Sequence, residues 1–234
     1  MYRLSLDTYT QQNNRFVNIG GPRQPLGEFS TFTTERWTNS QVMNLMYNYK
    51  IGSSITLDGL VGVNSVRQKG QFVGTTSQEQ FVYNLLNHGN FIEHNNFSGF
   101  GNENVMGVYA TAALGYNGWA YLNLQARNDW TSTLEQANRS VLYPSVSASV
   151  VISDAIEGLG NSNAVDYLKV RVGYGTSAGY PEPYQTRNIL ESSTNDFVTP
   201  GGSILNTNSV SNQLGNQNLQ AELFTELEAG LEAR

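Results

Sequence analysis

VMGVYATAALGYNGWAYLNLQARNDWTSTLEQANRSVLYPSVSASVVI, residues Val105 to Ile152, alternates with a period of two. Met106, Val108, Ala110, Ala112 and Leu114 share one parity, and so do Ala120, Leu122, Leu124 and Ala126, then Val146, Ala148 and Val150. The other parity carries Thr111, Asn123, Gln125, Arg127, Ser145, Ser147 and Ser149. Successive residues of a strand point to opposite faces, so this pattern predicts strands with one apolar face. The parity also selects the first turn. A two-residue turn at Asn117-Gly118 would pair Tyr116 with Trp119 and mix the faces. A three-residue loop with Gly118 in the left-handed conformation keeps the even positions together.

The same alternation recurs outward from this stretch. It predicts strands over 2–9, 36–49, 55–64, 166–175 and 222–232, with Leu168, Val170, Val172 and Tyr174 opposite Lys169 and Arg171, and Leu227, Ala229 and Leu231 opposite Glu226 and Glu228. Residues 10–35, 65–103, 130–142 and 176–217 are polar and read as long loops, whereas 50–53, 116–118 and 153–165 read as short connections. Ser153 or Asp154 is expected to cap one helical turn over 153–157. Eight strands whose connections alternate short and long form an antiparallel meander with every long loop at one end, the layout of an outer-membrane barrel. Strands of about ten residues suit a tilted crossing of a bilayer. Tyr116 and Trp119 at one end, and Trp130 and Tyr143 at the other, match two aromatic girdles. A soluble β-sandwich, with the apolar parity packed between two sheets, is the alternative.

Composition favours the membrane reading. Only 14% of the 234 residues are charged, against about 25% in soluble domains, and polarity comes instead from 27 Asn with Gln, Ser, Thr and 23 Gly. The net charge of −6 and the absence of a basic cluster argue against a nucleic-acid partner. With no cysteine there is neither a disulfide framework nor a thiolate metal site. No apolar run is long enough for a transmembrane helix. The first ten residues lack the apolar core of an export signal, so an exported protein would need sequence ahead of Met1.

Several segments carry a family pattern. WAYLNLQARNDWTSTL at 119–134 resembles the strand of SusC/RagA-type TonB-dependent transporters that runs into Arg-x-Asp-Gly-Ser-Ser, with Arg127 and Asp129 in place, Trp130 for the glycine, and Thr131-Ser132 for the serines. Tyr143-Pro144-Ser145-Val146-Ser147 resembles that family's aromatic-Pro-Ser-x-Ser strand start, and Tyr167–Gly175 its Leu-Lys-x-Arg-x-x-Tyr-Gly strand. Asn216–Glu222 is similar to its Asn-Pro-Asn-Leu-x-Pro-Glu segment, with Gln217 and Ala221 replacing both prolines. The resemblance implies an all-β, antiparallel up-and-down transmembrane barrel, of which 1–234 forms about eight strands within one TonB-dependent-receptor barrel domain, without the plug. An eight-stranded closed barrel is the other arrangement such a chain allows. The resemblance further implies a non-catalytic importer of oligosaccharide or peptide in the outer membrane of a Gram-negative bacterium. Its partners would be a SusD-like surface lipoprotein, the TonB complex and outer-membrane lipid. A soluble or secreted glycan-binding module is the alternative function.

No nucleophile–histidine pattern supports an enzyme, and no cofactor motif appears. Gly173-x-Gly175 lacks a following helix, since Pro181 and Pro183 intervene. His88 and His94 lie six apart with Glu93 beside one; that spacing matches no metal motif, and both are expected as solvated loop residues, so no metal site is assigned. On the barrel reading, Asn123, Gln125, Arg127, Lys169, Arg171, Glu226 and Glu228 face the lumen. Phe91, Phe97, Phe100, Tyr180, Tyr184 and Phe197 fall in long loops, where their rings would contact ligand or pack the loops together. Of these, Phe97, Phe100, Tyr180 and Tyr184 are the candidates for ligand contact.

Overall fold

A computed structural model of the chain describes residues 1–156 and 166–234, with the backbone alone over 191–198 and 204–207. Among the described residues ten strands follow one another: β1 (Tyr2–Val17), β2 (Glu28–Ile51), β3 (Ile55–Gln80), β4 (Phe91–Tyr116), β5 (Ala120–Thr131), β6 (Ser140–Val151), β7 (Leu168–Gly179), β8 (Leu190–Val198), β9 (Ile204–Val210) and β10 (Glu222–Ala233). Eight of them form one sheet in the order β1-β2-β3-β4-β5-β6-β7-β10, while β8 and β9 pair with each other as a separate hairpin. The sheet is a meander of neighbours in sequence, broken once where β10 passes the hairpin to join β7. The fold is all-β and antiparallel, as the alternation predicts. Among the described residues no helix is long and apolar enough to cross a membrane.

The register carries the parity through the sheet. Ala110 pairs with Ala126, Ala112 with Leu124, and Leu114 with Leu122. Leu122 then pairs with Ala148 and Leu124 with Val146. Ala148 continues to Val172, and Val172 to Ala229. Directly opposed residues share a face, so these rows put the apolar positions of five strands on one side of the sheet. Among the described residues no second layer covers them: Val172 is 50% exposed and Leu227 74%. A sandwich would bury this face, so the soluble alternative finds no support.

Between β4 and β5 the chain turns through Asn117-Gly118-Trp119, with Tyr116 paired to Ala120. This is the three-residue loop that parity requires. Gly118 has φ +77° and Asn117 φ +46°, and Trp119 N–H donates to the Tyr116 carbonyl at 3.1 Å. The Tyr116 and Trp119 rings meet edge-on, 5.4 Å between centroids.

Three expectations need correction. The stretches 10–35 and 65–103 are mostly strand, and their connections shrink to 18–27 and 81–90. The stretch 176–217 contains the β8–β9 hairpin. The single helical turn, α1 (Ile152–Ala155), begins one residue early and has no side-chain cap from Ser153 or Asp154; Glu157 lies outside the described residues.

Packing divides the chain into two compact units, Met1–Arg3 with Gln41–Ser65 and Asn104–Arg234, and Leu4–Ser40 with Val66–Glu103. The first buries Leu134, Val141, Val151 and the side chains of Asp129 and Thr131. In the second, Phe29 lies between the rings of His88 and Phe91, and the cross-strand contacts are largely polar, such as Ser30 with Thr76 and Thr75 with Asn96.

Placing a charge on each face tests the orientation. Ala148→Arg is expected to destabilise the complete barrel by about 2–4 kcal/mol in lipid, and Ser147→Arg by far less, because Ser147 lies on the polar face and accepts from Asn123 Nδ2 at 3.3 Å. Urea titration of the protein refolded into vesicles measures both.

Candidate functional site

The polar parity gathers its interactions around one carboxylate. Asp129 ends β5, is 3% exposed, and its Oδ1 faces the Arg127 guanidinium in an ion pair of 2.7 Å. Its Oδ2 accepts from the hydroxyls of Tyr143 and Tyr180, the latter at 2.8 Å. Arg127 in turn donates from Nε to the Tyr143 hydroxyl at 2.7 Å and from an Nη to Asn64 Oδ1 at 2.8 Å, and it lies 5.3 Å from the centre of the Tyr109 ring. Tyr109 donates to Asn44 Oδ1 at 2.6 Å. The network thus draws side chains from β2, β3, β4, β5 and β6, and from the residue that follows β7.

Register explains the convergence. Arg127 pairs with Tyr109 on one side and Tyr143 on the other, which puts three long polar side chains on one face in one row. Asp129 pairs with Gly107, and a Cβ at Gly107 would overlap Asp129, Arg127 and Asn64. Gly62 makes the same allowance for Tyr109 and Asn44. Space for the cluster therefore comes from two glycines on neighbouring strands. Tyr180, the first residue beyond β7, has its hydroxyl pKa raised by burial and by donation to Asp129, so it stays a neutral donor. The carboxylate is buried while Arg127 stays partly exposed, and the two tyrosine hydroxyls on Oδ2 supply the added hydrogen bonds that help offset its desolvation. The network positions strands and a loop.

A second contact holds the loops beyond it. Glu135 Oε1 accepts from Thr186 Oγ1 at 2.9 Å and Arg187 Nε at 2.8 Å, and Oε2 accepts from an Arg187 Nη at 2.9 Å. The two Arg187 hydrogen bonds, with Thr186 adding a third, hold the Glu135 carboxyl down at about 2 from its ordinary 4.5. Asn138 Nδ2 donates to the Leu219 carbonyl at 3.1 Å. Between 182–189 and 211–215 lies a groove of about 220 Å³ lined by Glu182, Tyr184, Gln185, Ser211, Gln213 and Leu214. Tyr184 sits beside it at φ +70° with its ring 53% exposed.

The residues assigned to the polar face fall on it together. Gln125 pairs with Ser145, Ser145 with Gly175, and Gly175 with Glu226. One row along, Asn123, Ser147, Gly173 and Glu228 align. Lys169 is opposite Glu232, and Arg171 opposite Gly230, across which its side chain lies. Of the aromatic candidates, Tyr180 and Tyr184 are in a connection, but Phe97 and Phe100 lie on β4. Phe97 stacks on Phe32 at 6.1 Å, Phe91 is buried, Phe100 is exposed, and the Phe197 side chain lies outside the described residues. Of the two histidines, His88 does lie in a connection, half-buried in a short 3-10 turn, whereas His94 is exposed on β4, and both reach Ser77. Sequence reading passed over Tyr143 and Tyr180 as partners of Asp129, and over Gly107 and Gly62, whose role shows only once the register is known.

Substituting Gly107 tests the central cluster. Gly107→Val is expected to cost about 1–3 kcal/mol through overpacking, read as a lowered urea midpoint. For the loop clamp, a carboxyl whose pKa falls on folding contributes fully above its unfolded value and loses that contribution as pH drops toward the folded one. The protection from amide exchange that wild type shows over 180–189 relative to Glu135→Gln should therefore hold down to pH 4.5 and fade toward pH 2. At neutral pH, Glu135→Gln should speed tryptic cleavage after Arg187, which is exposed.

No protein-family model matches the chain. A TonB-dependent receptor, P26, of Formosa agariphila is 27% identical over 244 residues, covering 98% of this chain and 24% of that protein. Among solved structures, the RagAB peptide transporter matches with a TM-score of 0.79 at 19% identity, over 99% of this chain and 26% of the other. The RagAB peptide importer in its open-open state matches with a TM-score of 0.77 at 20% identity, over 99% and 25%. The chain spans about a quarter of the length of the relatives it matches. It has the fold of a SusC/RagA-type TonB-dependent barrel segment and is similar in sequence, along nearly its whole length, to a TonB-dependent receptor.

Proposed function

We propose that residues 1–234 are wall and loops of one β-barrel domain in an outer-membrane, TonB-dependent importer of a nutrient, in a Gram-negative bacterium. The observation that carries this reading is the uncovered apolar face on β4, β5, β6, β7 and β10, backed by a hydrogen-bonded polar face along the same strands. Lipid would meet the first and a water-filled lumen the second. Asn123, Gln125, Arg127, Lys169, Arg171, Glu226 and Glu228 would then line the lumen. Arg127 would act there by bracing the wall, since its Nε and one Nη are engaged by Tyr143, Asn64 and Asp129.

The segment performs no covalent chemistry on this reading. Its contribution to import is a rigid wall and a set of pinned loops, the part of a transporter that fixes where a ligand can lie. The exposed ring of Tyr184 and the groove beside it fit contact with an oligosaccharide or a peptide, by stacking and by hydrogen bonds from Gln185, Ser211 and Gln213. The likeness to the RagAB fold supports a SusD-like surface lipoprotein as partner, and the likeness to a TonB-dependent receptor supports energy from TonB.

Residues 1–234 contain no cysteine, so single-cysteine labelling in the intact receptor, with any cysteine outside this stretch replaced, tests the reading. Val172→Cys should react with a membrane-soluble maleimide and resist a water-soluble one, whereas Gln125→Cys should react with the water-soluble reagent. Equal labelling of both positions by the water-soluble reagent would sink the barrel reading. Loss of nutrient uptake in cells lacking TonB tests the import reading separately.

A further inference from the structure

Two imidazoles, one at the end of the β3–β4 connection and one near the start of β4, converge on a single buried oxygen. Ser77, on β3, is fully buried, and its Oγ lies 2.8 Å from Nδ1 of His88 and 2.8 Å from Nδ1 of His94. We propose that His88 and His94 form a binding site for a divalent transition-metal ion of the Zn(II) type, with the Ser77 hydroxyl beside it and water completing the coordination.

The chemistry of the three groups leads there. A serine hydroxyl has one hydrogen and two lone pairs. It can donate to one Nδ1, so the other imidazole must carry its proton on Nδ1 and donate to Oγ. A metal ion drawn between the two rings replaces both hydrogen bonds with nitrogen ligation, at distances of about 2.0–2.1 Å. Ring nitrogens that both reach one atom need only a small inward shift to reach one ion.

The surroundings of His88 suit a ligand. Its Nε2 lies 2.9 Å from Thr31 Oγ1. With Nε2–H donating to Thr31, the lone pair is on Nδ1, and a hydroxyl or carbonyl behind a histidine is the usual outer partner of a metal site. The Phe29 ring lies 4.5 Å from the His88 ring, centroid to centroid, and fixes its plane. Burial, and then the nearby His94, lower the His88 pKa, so the imidazole is neutral and available at neutral pH. His94 is exposed, which leaves one side open to water.

No carboxylate completes the set. Glu93 adjoins His94 on β4, and successive strand residues point to opposite faces. Glu28 is taken up by the amides of Gln24 and Gln78. Among the described residues no three His, Asp or Glu side chains form a metal cluster. Two imidazoles and a neutral hydroxyl favour a borderline ion such as Zn(II) over a hard one such as Mg(II). The bound ion is exchangeable, and the inference stands apart from the import reading.

Calorimetric titration of the detergent-solubilised receptor, its affinity tag removed, with ZnCl2 at neutral pH tests the proposal. The expected result is one equivalent of Zn(II), bound in the micromolar range, that disappears in His94→Gln. That variant removes an exposed side chain, and its circular dichroism should match wild type. His88→Gln should lose the same equivalent. Lowering the pH to about 5.5 should weaken binding, because protons compete with the metal for imidazole nitrogens. MgCl2 should give no heat from this site. An equivalent of Zn(II) retained in folded His94→Gln, or no Zn(II) uptake by the wild type, overturns the assignment.

Discussion

Side-chain parity through the antiparallel ladder is the constraint on which the rest of this structure depends. Each residue of β5 is locked to one residue of β4 and one of β6, so a slip of one position would turn every apolar side chain to the polar side and every polar one to the apolar side. The three-residue turn at Asn117-Gly118-Trp119 protects that parity by taking up an odd number of residues between paired Tyr116 and Ala120. Between neighbouring strands the backbone polar groups pair in the ladder, while β1 and β10 stand at the two edges of the described sheet.

Within that frame the Asp129 network does what apolar packing does in a soluble core. A carboxylate that meets Arg127, Tyr143 and Tyr180 ties together the end of β5, the start of β6 and the exit from β7. Arg127 extends the tie to Asn64 on β3. Arg127 and Asp129, which carry part of the family resemblance in the sequence, are thus joined to each other and to aromatic hydroxyls.

How much was legible follows from what each residue has to say alone. Where one face is apolar, each side chain declares its face, and the strands at 105–116, 120–129 and 166–175 could be read with their orientation. Residues 10–17, 28–35, 65–80 and 91–104 are strands too, but polar residues occupy both parities. Their pairing rests on contacts such as Ser30 with Thr76 and Gln71 with Glu35, and a polar side chain suited to a cross-strand hydrogen bond is equally suited to a loop. The partners of Asp129 were hidden for a different reason. Tyr180 is far from it in sequence, and the need for glycine at 107 appears only when the Gly107–Asp129 pairing is known. The two histidines illustrate the same point, since their link runs through Ser77 on another strand.

The hairpin of β8 and β9 has a kinetic meaning. Gly179 and Glu222 are ladder partners, yet residues 180–221 separate them, whereas β4 and β5 are joined by three residues. Closing a long loop before any pairing is gained raises the entropic barrier, while the short turn lets β4 and β5 zip locally. Assembly of this stretch of wall should accordingly proceed from the tight turn outward, with the β7–β10 seam the last to close. Until it does, the edge of β7 offers unsatisfied backbone groups to any strand that reaches it first.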